Sequence, residues 1–144
     1  MTLVELLVVL AIIGLLLSVS VPGLVTYAKR TRLTAATRQV VSLLSLARST
    51  AISTHQPHAF ELDLVGRQFR VANVETGETL EQGFRVPPAV TVTFEVGGQP
   101  LTDPRLVFRA SGALLGQSTA VVLTDGDRRR TVTVSSATGT FAIE

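Results

Sequence analysis

A chain of 144 residues amounts to one domain, or to a domain with an appendage. Thirteen basic residues against eleven acidic ones leave a formal net charge of +2, which singles out no acidic partner, so nucleic acid would have to be recognised by local clustering. The absence of cysteine excludes a disulfide framework and thiolate metal sites, and one tyrosine with no tryptophan offers little aromatic surface for stacking bases or rings.

The apolar residues that raise the mean hydropathy to +0.41 are concentrated at the start. From Leu3 to Val21 the only non-apolar side chains are Glu5, Ser18 and Ser20. As a helix that stretch spans roughly 28 Å at about 1.5 Å per residue, close to the roughly 30 Å hydrocarbon core of a bilayer. A secretory signal would have a basic n-region and a shorter apolar core. The first basic residue here is Lys29, so the segment reads as a retained membrane helix.

Helical patterning continues beyond it. Pro22-Gly23 is expected to interrupt the helix, because proline removes the bond to the Ser18 carbonyl. Thereafter Leu33, Ala36, Val40, Leu43, Leu44, Ala47 and Ala51 recur at intervals of three and four, the stripe of an amphipathic helix lying on a core. A helix running to about Ser53 would be roughly 75–80 Å long. From His58 the period becomes two. Ala59–Leu64 and Gln68–Val74 read as a hairpin around Val65-Gly66-Arg67. Phe84–Val86, Val90–Val96 and Leu106–Arg109 follow, punctuated by Gly77, Pro87-Pro88, Gly97-Gly98 and Ser111-Gly112. Ala120–Thr124 and Thr131–Ser135 form a second hairpin joined by a loop from Asp125 to Arg130, and Thr140–Ile143 adds a last strand.

The expected fold is therefore α+β: a very long N-terminal helix, transmembrane in its first half and amphipathic in its second, packed on a small antiparallel β head. The division falls at residues 1–23 for the apolar helix, 24–53 for its amphipathic continuation and 54–144 for the head.

Glu5 admits two readings. A charge inside a bilayer costs about 2.5–3.5 kcal/mol on insertion scales and is normally partnered. Thr2-Leu3-Val4-Glu5 fits a capping box, in which Glu at the third helical position bonds back to the cap residue. The alternative rests on the whole segment: Thr2-Leu3-Val4-Glu5-Leu6-Leu7-Val8-Val9-Leu10-Ala11-Ile12-Ile13-Gly14, with Pro22, resembles the N-terminal signature of type IV pilins and of type II secretion pseudopilins. The resemblance covers roughly the first 25 residues. It implies a prepilin peptidase that removes a short basic leader and N-methylates the new first residue, here Met1 where the family usually has Phe. It also implies an inner-membrane, single-pass subunit with a periplasmic head. Such subunits enter a filament by packing their N-terminal helices against other pilins or pseudopilins. Glu5 would then pair with the α-amino group of a neighbour and fix the axial register, since a wrong stagger leaves a buried charge alone. Gly14 and Pro22 mark where helices of the family lose regular hydrogen bonding in filaments; ordinary helix packing in a membrane is the alternative for both. Lys29, Arg30 and Arg32 run against the implied orientation, because the positive-inside rule draws basic residues to the cytoplasm.

The stretch Ser42-Leu43-Leu44-Ser45-Leu46-Ala47-Arg48-Ser49-Thr50-Ala51-Ile52, followed by Phe-Glu-Leu-Asp-Leu, resembles the H-type pseudopilin (GspH) and FimT/FimU minor pilin group. So do Phe108 to Gly112, Leu123-Thr124-Asp125-Gly126 and Ser136-Ala137-Thr138-Gly139. That group implies two antiparallel sheets against the helix, and a place at or near a filament tip; a repeating subunit is the alternative.

Chemistry is sparse. His55 and His58 flank Pro57 with no third ligand nearby, which reads as a loop with exposed imidazoles. Asp125-Gly126-Asp127 lacks the oxygens a calcium site needs and reads as a turn. No cofactor, metal site or catalysis is expected. Arg128, Arg129 and Arg130 could neutralise phosphates, as in FimT-type pilins that bind DNA, but a solvated turn compensated by Asp125 and Asp127 is the reading favoured. A membrane-tethered module that never polymerises is the other alternative.

Overall fold

The computed structural model describes residues 2–80, 83–126 and 128–144, with the side chains of residues 19–22 outside that description. Met1 and Asp127, both named above, lie outside it. The described residues form one helix and nine strands, and the chain divides into two compact units, residues 1–32 and 33–144.

Helix α1 spans Leu3–Thr54 and belongs to both units. It starts where the capping box predicts: the Glu5 N–H donates to Thr2 Oγ1 and the Thr2 N–H donates to Glu5 Oε2, each at 3.3 Å. Helical backbone continues through position 22. The expected interruption at Pro22-Gly23 does not occur: one missing backbone hydrogen bond is insufficient to end so long a helix, which the bonds on either side keep in register. α1 ends at Thr54 because His55 takes a left-handed conformation, φ 56°, the usual way to close a helix.

In the second unit the seven residues of the expected stripe, Leu33 to Ala51, are all buried. Thr37 is buried with them, and its hydroxyl donates to the Leu33 carbonyl at 2.8 Å, which satisfies it without a tertiary partner.

The strands are β1 (His58–Asp63), β2 (Gln68–Asn73), β3 (Phe84–Arg85), β4 (Thr91–Val96), β5 (Gln99–Pro100), β6 (Arg105–Phe108), β7 (Thr119–Asp125), β8 (Arg128–Val134) and β9 (Phe141–Ile143). They pair antiparallel into a four-stranded sheet, β3-β2-β1-β6, and a five-stranded sheet, β5-β4-β7-β8-β9. Phe60 of β1, Phe69 of β2 and Phe94 of β4 meet between the sheets, with the Phe60 and Phe69 rings stacked at 4.9 Å. Phe108 meets Phe141 edge to face. This aromatic layer and the helix stripe form one core cluster. Strand β5 is the element that periodicity does not reveal, since two residues carry no pattern.

Two loops are locked to α1 by one side chain. Arg48 donates from Nε to the Gly112 carbonyl and from Nη2 to the Thr138 carbonyl. Gly139, at φ 63°, must be glycine, because a Cβ there would collide with the Gly112 carbonyl oxygen.

Candidate assembly segment and basic hairpin

In the first unit, every large apolar side chain from Leu3 to Leu17 is between 46% and 75% exposed. A soluble domain rarely leaves so much contiguous apolar surface to water, so this one needs an apolar surrounding. It is the one helix among the described residues long and apolar enough to cross a membrane. Glu5 stands at its first turn, exposed, with one carboxylate oxygen engaged by the Thr2 N–H. Gly14 lies mid-segment, and a Cβ placed there would meet nothing within 4 Å. The helix thus offers an unfilled surface at Gly14 and one acid at its start. Pro22 is described by its backbone alone.

The basic run is arranged differently from the expected loop. The residues 125 and 128–130 belong to β7 and β8, which reduces the connection to Gly126 and Asp127. Antiparallel pairing reaches Asp125 opposite Arg128, because Gly126, at φ 60°, reverses the chain at once. Alternation along β8 then separates the three arginines. Arg129 donates to Glu95 on β4 at 3.0 Å, so a residue of a nearby strand compensates it. Asp125 is only 5% exposed, turned toward the core instead of solvated. Its Oδ2 and Arg128 Nη1 are both buried without a hydrogen-bond partner among the described residues. Arg130 is exposed.

The histidines are also separated. His55 is exposed at the helix end, whereas His58 is buried in β1, 3.0 Å from the Gln56 carbonyl through Nδ1. The expectation of two exposed imidazoles fails for His58 because β1 begins at that residue and turns its ring inward. No group of three potential metal ligands occurs among the described residues. At the β1–β2 turn, Asp63 Oδ1 accepts from the N–H groups of Val65 and Gly66. The Gly66 bond, then the Val65 bond, hold the Asp63 carboxyl below its ordinary value; Arg70 adds to this and the cost of desolvation opposes it.

A long N-terminal helix whose second half packs on two antiparallel sheets is the fold of type IV pilins and pseudopilins. The family model described as Type II transport protein GspH matches residues 36–138, and the chain belongs to that family. Members are structural pilin and pseudopilin subunits. Among solved structures, the type IV minor pilin FimU of Pseudomonas aeruginosa is 17% identical, with 82% of this chain and 92% of that one covered at a TM-score of 0.65. The minor pseudopilin EpsH from the type 2 secretion system of Vibrio cholerae is 16% identical, with 78% and 96% covered at a TM-score of 0.62. At these identities the likeness is one of fold. No curated protein matches the chain.

Proposed function

We propose that this chain is a filament subunit of a type II secretion pseudopilus or a type IV pilus. In this reading it is processed and N-methylated at Met1 by a prepilin peptidase. The inner membrane holds it by the apolar part of α1, with the head in the periplasm, and it then assembles through that helix. The observation that carries the reading is the continuous exposed apolar surface of residues 3–17 with a single carboxylate at its start. In a filament, neighbouring helices would take the place of lipid around that surface. Family membership and the shared fold support it.

Glu5 has a specific part in this reading. In the lone chain its carboxylate is held by its own cap. In the filament it would meet the α-amino group of a neighbour, and only the correct stagger would bring the two charges together. Gly14 and Pro22 would allow the helices to adjust as they pack. The predicted test is Glu5→Gln: membrane insertion and head folding unchanged, and incorporation into filaments reduced at least tenfold, scored by immunoblot of sheared fibres. Incorporation equal to wild type would remove the register role.

A nucleic-acid role for Arg128, Arg129 and Arg130 draws less from the geometry, because Glu95 occupies Arg129 and Arg128 is half-buried. The filament reading accounts for more of the chain.

A further inference from the structure

The apolar part of α1 is followed by a compact basic cluster that filament packing leaves unexplained. Tyr27 is 68% exposed, and Lys29, Arg30 and Arg32 are exposed as well. No acidic residue occurs between Glu5 and Glu61. The ion pairs among the described residues all lie in the head, joining Arg70 and Arg105 to Glu61 and Arg129 to Glu95. Among the described residues, none of the three positive charges on this single helical turn has an ion-pair partner.

Its position along the helix is informative. At about 1.5 Å per residue, Lys29 to Arg32 lie roughly 6 to 11 Å beyond Val25, the last apolar residue before Tyr27. The polar layer of one leaflet is roughly 5–8 Å deep outside the hydrocarbon, and lysine and arginine stems can bend back into it. An amphipathic tyrosine at the inner edge of that layer is the usual interfacial anchor.

Its position around the helix is equally so. At about 100° per residue, Lys29, Arg30 and Arg32 stand roughly 200°, 300° and 140° from Tyr27, so the four encircle the axis. A protein groove or a nucleic-acid strand would be met by one face. Bilayer headgroups surround a spanning helix on every side. Under the orientation proposed above, these charges sit on the side the positive-inside rule disfavours, so they serve something other than topology.

We propose that Tyr27, Lys29, Arg30 and Arg32 form an interfacial collar that gathers anionic phospholipid headgroups around α1. The ammonium and guanidinium groups would bind lipid phosphodiesters, and the Tyr27 ring would sit at the boundary with the acyl chains. The collar rests on the membrane-anchored reading and adds to it a preference for lipid class.

Tyr27 is the sole tyrosine and the chain has no tryptophan, so its fluorescence reports this site alone. The full chain is reconstituted into vesicles of phosphatidylglycerol and phosphatidylcholine mixed 3:7. In parallel samples one lipid or the other carries bromine quenchers in its acyl chains. Per mole of quencher, phosphatidylglycerol is expected to quench Tyr27 roughly two- to five-fold more than phosphatidylcholine at low salt. That ratio should approach unity at about 1 M salt, where the screening length falls to about 3 Å. It should also approach unity in Lys29→Gln/Arg30→Gln/Arg32→Gln, whose exposed glutamines suit a helix. Circular dichroism of the head checks that this variant is folded. Equal quenching by both lipids in the wild type overturns the collar and leaves membrane anchorage standing. No quenching by either overturns both. Binding of duplex DNA through the same three residues, without lipid selection, would assign the cluster to nucleic acid and overturn the proposal.

Discussion

The two stretches of α1 use similar residues in different patterns, and each pattern demands a different environment. Residues 3–17 carry apolar side chains on every side of the helix and bury none of the large ones within the chain. From Leu33 to Ala51 seven apolar residues form one stripe that is wholly buried in the head, while Val41 and Leu46 beside it are half-buried and Ala35 is exposed. A stripe can be satisfied by one packed face. A helix apolar all round can be satisfied only by an apolar medium, lipid or other helices. The same secondary structure is thus a core element in one unit and an unfinished surface in the other.

Truncation of a core aromatic is the strongest way to break this contrast. Phe60→Ala would remove a buried ring stacked on Phe69 and is expected to cost about 3–5 kcal/mol, a large part of a domain's stability. Leu10→Ala, in the exposed stretch, should move the same head transition by less than about 0.5 kcal/mol. Chemical unfolding of both variants in detergent micelles, followed by circular dichroism, measures the pair. A Leu10→Ala cost close to that of Phe60→Ala would abolish the distinction.

The glycines offer a second test. Gly139→Ala places a Cβ against the Gly112 carbonyl oxygen at a left-handed φ and should destabilise the head by about 1–3 kcal/mol. Gly14→Ala meets nothing in the chain and should, if anything, favour the helix by about 0.5–1 kcal/mol. A failure of Gly14→Ala to enter filaments, with the head intact, would locate the need for glycine in packing between subunits.

The smallest effect is electrostatic and confined to the head. Asp63 has a folded-state pKa below its unfolded one, so its contribution to stability is present above the ordinary carboxylate range and is lost as pH falls through the lowered folded value. Carbon-detected NMR titration should find the Asp63 carboxyl among the last of the aspartates to protonate. Asp63→Asn should remove that part of the acid dependence, since an amide does not titrate, while leaving a side-chain oxygen to accept the turn N–H groups. An ordinary titration in the wild type would show that the turn bonds do not favour the charged form.

Much of the molecule is legible in local pattern. The run of apolar residues requires a non-aqueous surrounding whatever the head does, and the three-and-four spacing from Leu33 identifies the helix stripe before any partner is known. Alternation marks most strands because side chains on a pleated strand point to opposite faces in turn. Thr2 and Glu5 show their cap by spacing alone.

What spacing could not decide depends on contacts far apart in the chain. β6 joins β1, and β4 joins β7, across long intervals that periodicity does not encode. Burial of His58 and Asp125 follows from which face each strand turns to the core. Arg129 acquires its partner only when β7 brings β4 and β8 to its two sides, placing Glu95 within reach. A local pattern fixes which face of an element is apolar, because backbone geometry repeats over a few residues. Which surface covers that face is chosen by global packing, and there Arg129 found in Glu95 a partner that no neighbouring residue announced.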